Sequence, residues 1–187
     1  AGSGRVPAGF NNLVGVKPTR GLLSASGVVP ACRTLDTVSI FALDMADASR
    51  VLEVVAVQDP EDPYARSDQV PQLGLAGIPE SGFRFGVPAS GHLEFFGDRD
   101  HAALFGEAVE RLGSLGGEAV EIDFGPFREA ARLLYGGPWV AERYAAIRDF
   151  YDARPEALLD VTREIIGGGR DPRAVDAFEA GYRLQAL

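Results

Sequence analysis

Four short segments of this 187-residue chain carry the residue pattern of β-strands. Strands favour β-branched and aromatic residues in short runs that turn residues interrupt. The segments that fit are LVGVKP at 13–18, TVSIFAL at 37–43, FRFGVP at 83–88 and EAVEID at 118–123. The last one alternates as a half-buried strand does. Its carboxylates Glu118 and Glu121 are interpreted as solvent-exposed residues and not as a catalytic pair.

Apolar residues at helical spacing predict helices between and after these strands. Asp44 or Asp47 is suited to cap one helix, whose predicted apolar face consists of Ala48, Val51, Leu52 and Val55. A longer helix over 100–115 ends at Gly116-Gly117. From residue 127 the pattern stays helical, with breaks at 136–138, 154–155 and 167–169.

The order of these elements predicts an α/β fold with a helical C-terminal portion, in a single domain over residues 1–187. Residues 38–123 hold helix, strand, long helix and strand, which is the order of one crossover unit. Residues 58–79 are polar and contain prolines, so we expect a long surface loop there.

Charge and composition exclude several function classes. A net charge of −9 without a basic patch argues against nucleic-acid binding, and no apolar run approaches the length of a membrane span. The single cysteine, Cys32, has no partner for an internal disulfide, which suits a reducing cytoplasm. With two histidines and no Cys/His cluster we expect no metal site. Because Met45 is the only methionine, we expect that translation starts upstream of Ala1.

Ser3 is the first candidate for chemistry. It lies between Gly2 and Gly4, so a substrate can approach it closely and backbone N–H groups nearby can point at an oxyanion. The alternative is that GSG is a flexible end or the remnant of a tag. A serine nucleophile needs a base. His92 and His101 are better explained as solvated surface residues, and Lys17 as a solvated or capping lysine.

Tyr135 and Arg143 are the second candidate. A phenol and a guanidinium together can hold a planar carboxylate through charge-assisted hydrogen bonds. If a helix begins at Pro138, Arg143 lies about a turn and a half along it, while Tyr135 comes from the preceding segment. An ordinary helix junction with an exposed arginine explains the same residues.

Three stretches of sequence extend this interpretation. AGSGRVPAGFNNLVGVKPTRG at 1–21 resembles the second half of the amidase signature, and LSASGVVPACRTLD at 23–36 resembles its continuation, with Thr34 in place of the usual serine. LLYGGPWVAERY at 133–144 is similar to the allophanate hydrolases within that family. The resemblance implies a partial amidase-signature fold, in which helices flank a mixed β-sheet.

The resemblance also implies roles for individual residues. Ser3 would be the nucleophile of a Ser–cis-Ser–Lys triad, with backbone N–H groups of Ala1, Gly2 and Ser3 in the oxyanion hole. Tyr135 and Arg143 would hold the substrate carboxylate. The catalytic lysine and the bridging cis-serine would lie upstream of Ala1, so we expect that residues 1–187 alone are inactive.

For the longer protein, the resemblance implies a cytoplasmic enzyme that hydrolyses allophanate (urea-1-carboxylate) to ammonia and carbon dioxide. It implies no metal and no organic cofactor, homodimers as a common assembly, and a functional link to a biotin-dependent urea carboxylase. Two other functions remain open: an amidase of different substrate specificity, and a non-catalytic binding or assembly module.

Overall fold

The computed structural model describes residues 2–67 and 79–187, which fall into two compact units. The first unit combines residues 2–67 with Pro138–Arg173, and the second combines residues 79–137 with Ala174–Leu187. Residues 68–78 of the predicted loop over 58–79 lie outside the described residues.

Seven helices and four strands are present in the described part of the chain. The helices are α1 (Val6–Phe10), α2 (Met45–Val55), α3 (Arg99–Ser114), α4 (Gly125–Gly136), α5 (Val140–Ala153), α6 (Asp160–Gly167) and α7 (Ala174–Ala186). The strands are β1 (Val14–Val16), β2 (Ile40–Ala42), β3 (Phe83–Pro88) and β4 (Gly117–Ile122), and three short 3₁₀ turns begin at Ser90, Pro155 and Gly168. Each predicted strand is found, although the first two are shorter than their apolar runs.

The core of the first unit lies where α2 packs on a two-stranded antiparallel sheet. Strands β1 and β2 pair with Gly15 opposite Phe41. Asp44 caps α2, since its Oδ1 accepts the backbone N–H of Asp47 at 2.8 Å. The buried residues of this core are Leu23, Ile40, Ala48, Leu52 and Ala56.

The predicted apolar face of α2 is only half right. Ala48 and Leu52 are buried, but Val51 and Val55 are 44% and 42% exposed. The short strand β2 covers the Ala48–Leu52 side of the helix, and Val51 and Val55 line an open apolar groove beside it, together with Val38 and Val57 among others.

The second unit contains the predicted crossover unit. Strands β3 and β4 run parallel, with Phe83 opposite Gly117 and Pro88 opposite Ile122, and α3 connects them. Gly116 makes the turn from α3 into β4 at φ +90°, a backbone conformation that favours glycine. A Cβ on Gly117 would lie 2.7 Å from the carbonyl oxygen of Leu112. Helix α3 ends at Ser114, just before these two glycines, so the predicted helix end is confirmed.

The helical C-terminal portion is confirmed in both units. In the second unit, Arg183 of α7 makes two 2.6 Å contacts with the carboxylate of Glu129 in α4. In the first unit, the guanidinium of Arg170 lies over the rings of Tyr144 and Tyr151, 5.1 and 4.8 Å from their centroids. These contacts attach α7 to α4 and the 3₁₀ turn that begins at Gly168 to α5.

Two loops of the first unit are joined by half-buried polar contacts. The Ser24 hydroxyl donates to Asp59 at 2.7 Å, and the backbone N–H of Ala25 donates to Asp62 at 2.8 Å. The hydrogen bond from Ser24 lowers the pKa of Asp59, and the backbone hydrogen bond from Ala25 lowers the pKa of Asp62. In the folded chain, both side chains therefore stay ionised to a lower pH than an ordinary aspartate does.

We expect the contact between residues 21–26 and 59–64 to loosen in acid. Because the folded-state pKa of Asp62 is lowered, its stabilising contribution is present above the unfolded carboxyl pKa of about 3.9 and is lost as the pH falls through the folded value. Hydrogen–deuterium exchange of the two segments, corrected for intrinsic rate, should show protection that declines between about pH 5 and 2.

The substitution Asp62→Asn should reduce this protection already at neutral pH and flatten its pH dependence. Asp149→Asn is the matched control, because the Asp149 side chain is 99% exposed. Protection of the wild-type segments that does not change across the acid range would contradict the expectation.

Candidate active site

Ser3 lies at the surface of the first unit, in a turn that leads directly into α1. The carbonyl oxygen of Gly2 closes this turn by accepting the backbone N–H groups of Arg5 and Val6 at 3.0 and 2.8 Å. Ser3 is exposed, while Gly4, the residue after it, is buried. Ser3 is therefore accessible to solvent, while Gly4, which follows it, holds the backbone in place.

The anchor is a close approach of Gly4 to three neighbours in sequence-distant segments. A Cβ on Gly4 would lie 2.5 Å from Oγ of Ser39 and 3.6 Å from Cγ of Lys17. A Cβ on Gly15 would lie 2.8 Å from both the Gly4 carbonyl oxygen and the Cβ of Ala8. Strand β1 thus passes the turn at a distance that only glycine allows.

The predicted oxyanion-hole residues are described in part. Ala1 lies outside the described residues. Gly2 is exposed, and a Cβ built on it would meet no described atom within 4 Å, so its surroundings are open. The roles of Ala1, Gly2 and Ser3 in binding an oxyanion stay predictions.

The three candidate bases all have other contacts. Lys17 donates its Nζ to the carbonyl oxygen of Pro18 at 2.7 Å, which is the capping role expected for it. In the second unit, Nε2 of His92 lies 3.2 Å from Asp123, and Nδ1 of His101 lies 2.7 Å from Asp98. The interpretation of His101 as a surface residue is confirmed by its 77% exposed side chain, whereas His92 is only 31% exposed.

Tyr135 and Arg143 lie on opposite sides of the predicted break at 136–138. Tyr135 is 61% exposed near the end of α4, in the second unit. Arg143 is half-buried in the first turn of α5, in the first unit. The helix expected to begin at Pro138 begins two residues later, because Trp139 is its N-terminal capping residue and the Pro138 carbonyl accepts the N–H of Ala141 at 2.9 Å.

Arg143 contacts Cys32, a residue that the sequence analysis did not connect with it. The Cys32 thiol is buried and lies 3.6 Å from the carbonyl oxygen of Trp139. Burial raises the pKa of Cys32, and hydrogen bonding and charge from the Arg143 guanidinium partly oppose that rise. Nε of Arg143 is itself buried. The part of the Arg143 side chain that leads to the guanidinium, here called its stem, is therefore packed against protein atoms and not solvated.

Glu142, the residue before Arg143, makes a two-point contact with Thr34. The Thr34 hydroxyl donates to Oε2 at 2.6 Å, and the Thr34 backbone N–H donates to Oε1 at 3.2 Å. These partners are 108 residues apart, and Cys32 is 107 residues from Trp139. No local pattern in the sequence signals contacts at such a separation, so the sequence analysis missed them.

Two features are absent from the described residues. Within residues 2–67 and 79–187, no three His, Cys, Asp or Glu side chains are grouped to hold a metal ion. In the same residues, no helix has both the length and the apolar character needed to cross a bilayer.

Comparison with known proteins identifies close relatives. The family described as "Amidase" matches residues 1–184. Urea amidolyase of Saccharomyces cerevisiae is 43% identical over 193 aligned residues, which cover 100% of this chain and 10% of that protein. A glutamyl-tRNA(Gln) amidotransferase chain from a Synechococcus strain is 37% identical over 72% of this chain and 26% of its own length.

A solved structure has the same fold. Selenomethionine-substituted Kluyveromyces lactis allophanate hydrolase superposes with a TM-score of 0.89 at 43% identity, over 100% of this chain and 30% of that one. This similarity confirms the expected fold class. The chain spans only a small part of the relatives that it matches.

We expect Gly15→Ala to destabilise the first unit. Its Cβ would overlap the Gly4 carbonyl and Ala8, both 2.8 Å away, and the first of these is backbone that has no rotamer to change. Overpacking of this kind costs about 1–3 kcal/mol of unfolding free energy. Urea unfolding followed by circular dichroism measures the change.

Gly9→Ala is the matched control, since Gly9 lies in α1 and a Cβ there would meet no described atom within 4 Å. It should leave the unfolding free energy unchanged or raise it by up to about 1 kcal/mol. Equal stability of the two variants would show that the Gly4–Gly15 approach does not hold the Ser3 turn.

Proposed function

This chain belongs to the amidase family, and from that premise we propose that it is the nucleophile-bearing part of an allophanate hydrolase. The observation that carries the proposal is the 43% identity and TM-score of 0.89 to Kluyveromyces lactis allophanate hydrolase across the whole of this chain. Urea amidolyase of Saccharomyces cerevisiae, at the same identity, also supports it.

In the proposed first half-reaction, the Ser3 hydroxyl attacks the amide carbonyl carbon of allophanate. The Ser3 proton passes to a base, a C–O bond forms, and the carbonyl oxygen takes up negative charge opposite backbone N–H groups of Ala1, Gly2 and Ser3. The C–N bond to the terminal amino group then breaks, and this group leaves as ammonia after it receives the proton. Ser3 is left with a carbamoyl-type acyl group that carries the substrate carboxylate.

In the second half-reaction, water attacks the acyl carbon and restores the Ser3 hydroxyl. The product is an amine nitrogen that bears two carboxyl groups, and it decomposes to ammonia and carbon dioxide. Taken together, one allophanic acid and one water give two ammonia and two carbon dioxide. An exposed serine on an anchored turn suits both steps, because substrate and water reach the hydroxyl while the backbone donors keep their place.

The base in this proposal is a lysine that acts through a bridging cis-serine. The family resemblance assigns both to sequence upstream of Ala1, and Lys17, the single lysine of this sequence, donates to the Pro18 carbonyl. Residues 1–187 alone are therefore proposed to be inactive.

Selection of the substrate is proposed to come from Arg143 and Tyr135. The Arg143 guanidinium offers several N–H donors in a plane, which matches a carboxylate in two-point contact, and a phenol adds one further donor. The packed stem of Arg143 against Cys32 supports this assignment, because a restrained guanidinium loses less conformational entropy when a ligand binds.

The remaining proposals concern the cellular setting of the longer protein. We propose a cytoplasmic homodimer that consumes allophanate made by a biotin-dependent urea carboxylase. The name of the yeast relative, urea amidolyase, supports the link to urea.

An amidase of different specificity is the second candidate. It is favoured by the 37% identity to the glutamyl-tRNA(Gln) amidotransferase chain over 72% of this chain. The two candidates share the Ser3 chemistry and differ in what Arg143 and Tyr135 recognise.

We expect Ser3→Ala to abolish hydrolysis of allophanate by the intact polypeptide that contains this chain. Loss of a serine nucleophile lowers kcat by on the order of 10⁴–10⁶-fold. Ammonia release measures it, and Ser26→Ala is the matched control, because Ser26 is an exposed serine outside the turn. Turnover by residues 1–187 alone that depends on Ser3 would contradict the proposed upstream base.

We expect Arg143→Ala to raise KM for allophanate by about 10- to 100-fold, because a charge-assisted contact contributes roughly 1.5–3 kcal/mol. The inhibition constant of biuret, a neutral amide of similar shape, should change little. Arg148→Ala on the same helix is the control, since Arg148 is 65% exposed and pairs with Asp149. An equal loss for allophanate and biuret would instead favour the amidase of different specificity.

A further inference from the structure

The segment Ala31–Asp36, here called the 31–36 turn, has an internally fixed shape. The Asp36 carboxylate accepts the backbone N–H groups of Ala31 and Cys32, both at 3.0 Å. In return, the Cys32 carbonyl oxygen accepts the N–H groups of Leu35 and Asp36, both at 2.7 Å. This reciprocal bonding makes the turn a rigid support for the residues between its ends.

A neighbouring arginine adds a further restraint to the middle of the turn. Nη1 of Arg20 donates to the carbonyl oxygen of Thr34 at 2.6 Å. The Thr34 hydroxyl and backbone N–H both point to Glu142, at 2.6 and 3.2 Å. Thr34 therefore contacts both Arg20 and Glu142, and its position is set by three hydrogen bonds.

The contact with Glu142 fixes helix α5 at its first turn. Successive residues of a helix are about 100° apart around its axis, so a restraint on the direction of Glu142 also sets the direction of Arg143. Cys32, from the same turn, packs against Trp139 and Arg143. The start of α5 is thus attached to the 31–36 turn at points before and beside the arginine.

We propose that Thr34 and Glu142 are positioning residues that set the carboxylate specificity of this enzyme through Arg143. The inference rests on the proposed function, in which Arg143 binds the substrate carboxylate. Two-point contact between a guanidinium and a carboxylate needs both partners in one plane, so a small rotation of α5 weakens it. Loss of the Thr34–Glu142 contact permits that rotation.

A purely structural role for the Thr34–Glu142 contact predicts a different outcome. If Thr34 and Glu142 only hold α5 in place as a whole, their loss lowers stability and affects all substrates and inhibitors alike. If they position Arg143, their loss weakens binding of carboxylate ligands and leaves kcat and neutral ligands nearly unchanged. The Ser3 turn has its own anchor at Gly4 and Gly15, which is why kcat is expected to hold.

The experiment measures steady-state kinetics of the intact polypeptide that contains this chain. Thr34→Val and Glu142→Gln should each raise KM for allophanate by about tenfold, with kcat within about threefold of wild type. The inhibition constant of malonate, which carries two carboxylates, should rise in parallel, while that of neutral biuret should not. Thr34→Ser keeps the hydroxyl donor and should restore the wild-type KM.

Thr37→Val is the matched control. Thr37 follows the 31–36 turn directly, is half-buried like Thr34, and its hydroxyl donates only weakly to the Leu35 carbonyl, at 3.4 Å. It should leave KM for allophanate within about twofold of wild type, because its weak hydrogen bond to Leu35 does not involve helix α5. A rise of KM equal to that of Thr34→Val would overturn the proposal.

A double-mutant cycle separates this inference from the proposed function. In an Arg143→Ala background, Thr34→Val should have no further effect on KM for allophanate, because its effect passes through Arg143. Independent, additive effects would overturn the positioning role while the function stands. If Arg143→Ala itself leaves KM for allophanate unchanged, the proposed role of Arg143 fails, and the positioning role fails with it.

Discussion

The place of Ser3 depends on one steric constraint, the close approach of two backbones at Gly4 and Gly15. Strand β1 carries Gly15 up to the Gly4 carbonyl, and Ser39, just before β2, fills the space on the other side of Gly4. A side chain on either glycine would occupy the volume of a backbone or hydroxyl atom. Strands β1 and β2 also pair with each other and pack with α2 in the core. The position of Ser3 is therefore set by the packed sheet.

A second anchor, independent of the first, holds the other candidate residue of the first unit. The 31–36 turn contacts helix α5 through Cys32 and Thr34, and Arg143 lies in the first turn of that helix. The proposed nucleophile and the proposed carboxylate binder are thus attached to separate supports, one governed by shape and the other by hydrogen bonds. Such a division allows substrate selection to change without a change in the chemistry at the serine.

Local patterns were enough to predict most elements and none of the long-range contacts. FRFGVP and EAVEID became β3 and β4 because alternation and flanking glycines are properties of a few adjacent residues. Val51 and Val55 were misjudged, since periodicity shows a helix face but not how much of it a neighbour covers. The Thr34–Glu142 contact could not be foreseen, because nothing in either segment refers to a partner 108 residues away. The roles of Ser3 and Arg143 were inferred through family resemblance, which carries that distant information.

The interleaving of the two units has a consequence for synthesis on the ribosome. Residues 2–67 are made early, yet the unit that they belong to includes Pro138–Arg173, and the second unit needs Ala174–Leu187. At about 5–20 residues per second, Thr34 leaves the ribosome roughly 5–20 s before its partner Glu142. During that interval the nascent first unit lacks helix α5, so the 31–36 turn exists without Glu142, the partner of Thr34.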